Sequence, residues 1–282
     1  MTDLSPLETL FDVAIGDALP LPDQLKSLYG NLRFPREPLH PYVISNFVTT
    51  LDGVVSLNTP GKTGGSEIGG KIQQDRAVMG LLRAVADAVV VGAGTLRAVP
   101  RHLWTPQQIY PPLANAYREL RARLGKSESP LNVVVTARGE LDLNLPVFSS
   151  ARVRALIVTT AEGAQRLANR PLPPSTQLSL RGSSGSVSAH DVVDAIAALG
   201  RSDLILLEGG PVLLGDFLAE RVLNELFLTL APQIAGRNDT DGRPGLVAGR
   251  EFAPSNPIWS RLIAVKRADN HLFLRYEFTP GA

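Results

Sequence analysis

Short apolar runs alternate with amphipathic stretches along most of the chain. Apolar runs of this length predict buried strands, and apolar positions spaced three and four residues apart predict helices. The predicted strands are Tyr42–Thr49, Ala88–Gly92, Asn132–Thr136, Arg154–Thr159, Thr176–Leu180 and Leu204–Leu207. The predicted helices are Lys71–Ala86, Leu113–Leu124, Glu162–Ala168, Ala189–Leu199 and Pro211–Val222. This alternation indicates an α/β fold, with a parallel sheet that carries helices on both faces.

The pattern changes near the carboxyl end of the chain. Three predicted strands follow one another without helices between them, and they are Glu225–Ala231, Leu262–Arg267 and Leu272–Phe278. Asp269 and Asn270 are typical of a hairpin turn. We therefore expect antiparallel strands at one edge of the sheet. Residues 236–257 form a long connection that could shape a substrate mouth.

One main domain preceded by an N-terminal extension is expected. Residues 1–40 are predicted to be an N-terminal extension, a proline-containing arm packed on the rest of the chain. Residues 41–282 are predicted to form the main domain, and 44% apolar residues are enough to build its core.

Composition excludes several classes of function. The net charge is +1 without a basic stripe, so we expect no nucleic-acid partner. There are no cysteines, and the four histidines are scattered, so neither a disulfide nor a metal site is expected. No apolar run reaches the ~20 residues of a membrane helix, and the chain does not start with a signal peptide. These features predict a cytoplasmic protein that acts on a small molecule.

The most informative segment runs from Leu204 to Leu223. A buried strand ends at Glu208, Gly209 and Gly210 turn the chain, and Pro211 opens a helix. The free N–H groups of a helix N-terminus after glycines are a good seat for a phosphate. A carboxylate beside that seat predicts a nucleotide cofactor next to a polar substrate site, although a plain tight turn with a solvated Glu is the alternative.

A second glycine turn follows strand Ala88–Gly92. Its sequence Gly92-Ala93-Gly94-Thr95 begins like a dinucleotide fingerprint, but Arg97 replaces the third glycine. The next strand ends in Thr136-Ala137-Arg138, where an NAD-binding protein would carry an acid. Arg138 could pair with the 2′-phosphate of NADP instead, or it could be a solvated loop charge.

These residues resemble a known family, the pyrimidine reductases of riboflavin biosynthesis. The resemblance rests on four segments taken in order, which are Phe47–Gly53 (FVTTLDG), Val91–Thr95 (VGAGT), Glu208–Pro211 (EGGP) and Leu228–Gly236 (LTLAPQIAG). The chain is most similar to stand-alone, actinobacterial-type reductases that lack a deaminase half. The resemblance implies a dihydrofolate-reductase-like fold with a mixed, mostly parallel sheet, NADPH as cofactor and a homodimer.

The predicted cofactor-binding residues come from the turns and from the resemblance. They are Thr50, Gly92, Gly94, Thr95, Thr136, Arg138, Gly209, Gly210, Pro211 and Leu213. A homodimer would also cover the exposed edges of the three antiparallel tail strands.

Carboxylates are the candidates for substrate chemistry, because they accept N–H bonds from an aminopyrimidine and can hold a proton. Glu208 and Asp75 are the predicted catalytic residues. Asp52, Asp75, Arg101 and Glu208 are the predicted substrate-binding residues. The alternatives are a turn stabilised by its own Asp side chain for Asp52 and a helix-dipole acid for Asp75. Arg101, Arg97 and Lys62 could bind a substrate phosphate or could be solvated.

Two positions depart from the family pattern. Val54 stands where the family usually has Lys, and Val99 precedes Pro100 where the family usually has Asp. The sequence therefore predicts an NADPH-dependent reductase of a pyrimidine-type, phosphorylated substrate and leaves the substrate itself open. A dihydrofolate or pteridine reductase on the same fold and a non-catalytic NADP-binding sensor are the two alternatives.

Overall fold

The computed structural model describes residues 4–35, 41–59, 65–182, 185–200, 202–238 and 242–278. The strands are β1 (Glu8–Asp12), β2 (Asp17–Ala18), β3 (Arg33–Phe34), β4 (Tyr42–Thr49), β5 (Ala88–Gly92), β6 (Leu131–Thr136), β7 (Ala155–Thr159), β8 (Thr176–Leu180), β9 (Leu204–Leu207), β10 (Glu225–Leu230), β11 (Arg261–Ala268) and β12 (His271–Glu277). The helices are α1 (Asp23–Tyr29), α2 (Gly65–Ile68), α3 (Gln73–Val85), α4 (Ala93–Ala98), α5 (Pro106–Ile109), α6 (Ala114–Arg123), α7 (Pro146–Ser149), α8 (Ala161–Ala168), α9 (Ala189–Ala197) and α10 (Pro211–Ala219). Within these described segments, no helix is both long and apolar enough to cross a bilayer.

Ten of the described strands form one sheet, in the order β1-β11-β12-β10-β4-β9-β5-β6-β7-β8. The strands from β10 to β8 in this order are parallel to one another. Strands β12, β11 and β1 continue the sheet in antiparallel pairs. The mixed, mostly parallel sheet with antiparallel C-terminal strands is therefore confirmed.

Both faces of the sheet are covered, because successive side chains of each buried strand enter opposite cores. In β5, Val89 and Val91 join the cluster that contains α1, α3 and α6. Ala88 and Val90 join the cluster that contains α9 and α10. This explains why the parallel strands are nearly continuous apolar runs instead of alternating ones.

Helix α3 begins at Gln73, two residues after the start predicted from its apolar pattern. Gly70 and Lys71 both have φ of 61°, which is left-handed and ends any helical path before Ile72. The turn is closed by a hydrogen bond of 3.3 Å from the Ile72 N–H to the Gly69 carbonyl. The helix thus starts abruptly, and Asp75 lies in its first turn.

The N-terminal residues are built into the same sheet, which the sequence did not predict. Strand β1 pairs antiparallel with β11, at the outer side of the three tail strands. A buried network holds the N-terminal residues at a second place. Arg275 donates a hydrogen bond to the Arg33 carbonyl at 2.6 Å, and it forms an ion pair of 2.6 Å with Glu225. The argument that a homodimer covers the edge of the tail strands is therefore wrong, since β1 of the same chain already pairs with that edge.

Candidate active site

The parallel strands all end at one edge of the sheet, which we call the carboxyl edge. Strands β4, β9 and β5 are neighbours there, so the residues that follow them lie side by side. Thr50 follows β4, Glu208 follows β9, and Gly92 is the last residue of β5. The long antiparallel hairpin brings His271, the first residue of β12, to the same edge, because Leu230 at the end of β10 pairs with Leu272.

The two glycine turns pack directly against each other at this edge. The Gly92 N–H donates to the Gly209 carbonyl at 3.3 Å. A Cβ atom on Gly209 would lie 2.7 Å from Thr95 Oγ1, and one on Gly210 would lie 3.3 Å from it. Gly209 therefore has to be glycine for the turns to meet. The result is a surface of backbone and small side chains at the start of α10, of the kind that a phosphate can approach.

Arg138 lies one strand further along the carboxyl edge, beyond β6. Its side chain is exposed, and no hydrogen bond or ion pair is found for it among the described residues. The Thr136 hydroxyl accepts a hydrogen bond of 3.1 Å from the Gly139 N–H and so shapes the turn that carries Arg138. An exposed guanidinium in this position can bind an anion.

Glu208 is held by a buried arginine of α3. Arg83 Nη2 lies 2.6 Å from Glu208 Oε2, and Arg83 Nε lies 2.9 Å from Oε1, with side chains that are 2% and 4% exposed. The same guanidinium donates to His102 Nε2 at 2.9 Å and to the Thr105 carbonyl at 3.3 Å. Burial, together with the positive charge of Arg83, lowers the pKa of His102 to about 3, so His102 is a neutral acceptor.

Asp75 is the acid at the carboxyl edge whose buried negative charge is least offset by its neighbours. The residue is 7% exposed, and its carboxyl group is hydrogen-bonded to Thr229 of β10. Burial raises the pKa of Asp75, the negative charge of Glu208 raises it further, and Thr229 and His271 oppose the shift. Asp75 is thus a carboxyl group that can take up a proton more readily than an exposed aspartate.

A family model described as the RibD C-terminal domain matches residues 41–253. The chain belongs to the RibD C-terminal domain family. A curated relative, the 2,5-diamino-6-ribosylamino-4(3H)-pyrimidinone 5′-phosphate reductase of Archaeoglobus fulgidus, is 23% identical over 214 residues, or 76% of this chain and 89% of the relative. The protein of the same name from Methanothermobacter thermautotrophicus is 25% identical over 201 residues, or 71% of this chain and 82% of the relative.

Solved structures of RibD-type proteins share the fold. A pyrimidine reductase-like protein from Corynebacterium diphtheriae has a TM-score of 0.62 at 21% identity, covering 85% of this chain and 92% of that one. A deaminase/reductase from Thermotoga maritima has a TM-score of 0.61 at 19% identity, covering 85% of this chain. The present chain spans only 57% of the length of that Thermotoga protein.

Asp52, in the first family motif, organises the loops around it. Its carboxylate accepts hydrogen bonds from Thr50 Oγ1 at 2.5 Å, from the Ala235 N–H at 3.1 Å and from the Gly236 N–H at 2.8 Å. The Thr50 bond, followed by the backbone bonds, lowers the pKa of Asp52 to about 2. The side chain thus joins the loop after β4 to the long connection after β10. Its predicted contact with substrate stays a prediction.

The two departures of this RibD-type chain from the family pattern lie in different surroundings. Val54 is fully buried and pairs its backbone with Gly245 of the long connection, so that a lysine there would have to leave the core. Val99 is the residue that ends α4. Arg97 and Arg101 are exposed near it, and Lys62 lies outside the described residues. Leu213 is buried in α10, so a role in cofactor binding would fall to its backbone.

Sequence analysis did not identify Arg83, Thr229 or His271 as parts of this edge. Arg83 carried a usable signal, since it lies four residues after Met79 and therefore on the same side of the helix as that apolar residue. An arginine on a buried helix face needs an acid partner, because arginine is almost never fully buried unless it is paired. Thr229 and His271 carried no such signal, since the tail strands alone do not reveal which helix they face. Within the described residues, no cluster of three or more His, Asp or Glu suits a metal ion.

Proposed function

We propose that this protein is an NADPH-dependent reductase of a ribosylaminopyrimidine phosphate, the kind of substrate in the names of its curated relatives. One observation carries the proposal. The two glycine turns meet at the carboxyl edge of the sheet, directly after Glu208, whose charge acts on the buried carboxyl group of Asp75. A phosphate seat next to a buried acid suits a cofactor that meets a polar, nitrogen-rich ring.

The cofactor would lie across the two turns. The backbone N–H groups after Gly210, at the start of the nine-residue helix α10, would bind its phosphates. Gly94 has no heavy atom within 4 Å of a Cβ position, so there is open space for a ligand on the α4 side. Arg138 would bind the 2′-phosphate, and Thr136 would hold its turn in place. When bound, NADPH supplies the hydride of the reaction.

The aminopyrimidine would bind against Asp75. An ionised carboxylate accepts two N–H donors, and Thr229 holds one side of the group in a fixed orientation. The substrate of the archaeal relatives carries a 2-amino group beside a ring nitrogen, which presents such donors. Asp75 in its acid form could instead hold the proton that the reduction consumes, so it is our candidate for both substrate binding and catalysis.

Glu208 would act mainly by holding parts of the site together. Both of its oxygens accept bonds from Arg83, and Gly209 follows it in the chain. The pair therefore ties α3, which carries Asp75, to the turn that would bind the cofactor. Direct contact between Glu208 and the substrate, as expected from the sequence, is compatible with the one acceptor position left on Oε1.

Three further expectations belong to the same proposal, and they concern assembly, location and the mouth of the substrate site. A homodimer and a cytoplasmic location are typical of small-molecule reductases like this one. Light scattering at micromolar concentration should report about twice the 30.2 kDa of the chain. The long connection after β10 would form the mouth of the substrate site, because Asp52 binds its first residues and Val54 pairs with Gly245.

Oxidation of NADPH by the purified protein tests the proposal. Three substrates are compared, which are the 2,5-diaminopyrimidinone ribosyl phosphate, 5-amino-6-(5-phosphoribosylamino)uracil and dihydrofolate. We expect turnover with one of the two ribosyl phosphates, and mass spectrometry should detect the ribityl product. Turnover of dihydrofolate alone would support a pteridine reductase instead. Tight NADPH binding without turnover of any of the three would support a sensor.

A further inference from the structure

His271 is a partly buried histidine to which the proposed reaction assigns no role. It begins β12, and its Nε2 lies 3.1 Å from the carbonyl oxygen of Gly69. A carbonyl can only accept, so Nε2 carries the hydrogen. The other ring nitrogen, Nδ1, is buried and has no hydrogen-bond partner among the described residues. In the neutral ring, Nδ1 is therefore a bare acceptor.

The Gly69 carbonyl also closes the turn that leads into helix α3. It accepts the Ile72 N–H at 3.3 Å, across a turn in which Gly70 and Lys71 are left-handed. Such a turn is held by few bonds, so a second bond from His271 restricts it strongly. Because Asp75 lies in the first turn of α3, the position of its carboxyl group depends on this anchor.

His271 and Asp75 also lie close enough to interact electrostatically. A Cβ atom on Gly69 would lie 3.7 Å from Asp75 Oδ2, so the carboxyl group and the imidazole approach Gly69 together. His271 opposes the effect of burial on Asp75 and lowers its pKa. The other groups that face Asp75 are the hydroxyl of Thr229 from β10 and the carboxylate of Glu208 after β9, which is paired with Arg83 of α3.

We propose that His271 is a positioning residue for Asp75. Through the Gly69 carbonyl it fixes the first turn of α3, and through its ring it favours the ionised carboxylate that accepts the substrate N–H groups. The inference rests on the proposed function, because Asp75 is the substrate-binding acid there. It adds an influence of His271 on the ionisation of Asp75 that no motif of the sequence revealed.

Three variants separate the two parts of this role. His271→Gln places an amide N–H near the position of Nε2 and cannot ionise, so it keeps the anchor and removes the charge. His271→Phe fills the space and removes both. His190→Gln is the control, because His190 lies exposed on α9 at a distance along the chain.

We expect His271→Phe to raise the KM for the pyrimidine about tenfold, with little change in NADPH affinity. His271→Gln should restore most of that KM at alkaline pH. Its kcat/KM should still begin to fall at a higher pH than in the wild type, because Asp75 loses the imidazole that lowers its pKa. The control should behave as the wild type. Equal loss in His271→Gln and His271→Phe at every pH would overturn the anchor, and a pH profile of His271→Gln that matches the wild type would overturn the charge coupling.

A second measurement does not depend on the substrate. Protein labelled with ¹³C at the aspartate carboxyl carbons is titrated by NMR, and the Asp75 signal is assigned by its loss in Asp75→Asn. The Asp75 midpoint should rise by about half a unit in His271→Gln, which is roughly a threefold change in proton affinity. An unchanged midpoint would refute the coupling while the reductase assignment stands. A shifted midpoint in a protein that reduces no pyrimidine would retain the coupling and refute the reductase assignment.

Discussion

Replacing Glu208 by glutamine should destabilise the whole fold, and the size of the effect follows from its contacts. The amide leaves the Arg83 guanidinium buried without its counter-charge, and it turns an N–H₂ toward the Nε and Nη2 donors. Removing one partner of a buried pair costs about 3–5 kcal/mol. His102 Nε2 and the Thr105 carbonyl remain as acceptors, so we expect a loss near the lower end, about 3 kcal/mol.

Urea unfolding followed by circular dichroism measures this loss, and a thermal melt supports it. For a chain of this size, 3 kcal/mol corresponds to a decrease in Tm of about 6–12 °C. Glu162→Gln is the matched control, because Glu162 pairs with Arg166 on the surface, with side chains that are 57% and 47% exposed. Breaking that pair should cost no more than about 0.5 kcal/mol.

The outcome also decides how Glu208 takes part in the reaction. If Glu208→Gln unfolds like the wild type but loses turnover about a hundredfold, then its carboxylate is not committed to Arg83 and contacts the substrate directly. If stability and NADPH affinity fall together, then the pair holds the cofactor turn in place. Arg83→Met should then reproduce the loss, since it leaves the same carboxylate buried and unpaired.

Four further substitutions test the cofactor turns and the acid. Arg138→Ala should reduce the preference for NADPH over NADH about tenfold to a hundredfold, measured by calorimetry, and equal affinities in the wild type would refute the role. Gly209→Ala should lower the Tm because its Cβ would lie 2.7 Å from Thr95 Oγ1, whereas Gly94→Ala should keep the Tm and weaken only NADPH binding. Asp75→Asn should abolish turnover yet stabilise the fold at neutral pH. The raised pKa of Asp75 means that its ionisation opposes folding above the pKa of an unfolded aspartate, and this gain should vanish in acid.

The hydrophobic pattern was sufficient to predict the parallel half of the sheet. Strands 42–49, 88–92, 176–180 and 204–207 have the predicted bounds. Strands 88–92 and 204–207 are short apolar runs between polar or glycine residues, and 176–180 alternates apolar and polar residues. Helix ends were less predictable. Lys71 was the predicted first residue of α3, yet its left-handed backbone excludes it from the helix. The periodic pattern of apolar residues carries no information on φ.

The N-terminal strand and the partners of the acids depend on tertiary contacts and could not be predicted in the same way. Strand β1 is short and exposed on most of its residues, so it lacks the buried pattern that identifies a strand. Glu208 was located correctly at a strand end beside the glycines, but its partner Arg83 is 125 residues away. The sequence thus predicted that Glu208 ends a strand beside the glycine turns, and the structure adds the partner that holds its carboxylate.

The pairing of β1 with β11 has a consequence for the order of assembly during synthesis. The bond between Glu8 and Arg267 joins residues that are 259 positions apart, so a strand that is synthesised early is completed by one that is synthesised much later. Until then its exposed Leu10 and Phe11 have no sheet to join, while Glu8 and Asp12 on either side keep the segment hydrated. Contacts this distant in sequence form slowly. We therefore expect the chain to build its parallel strands first and to close this edge last.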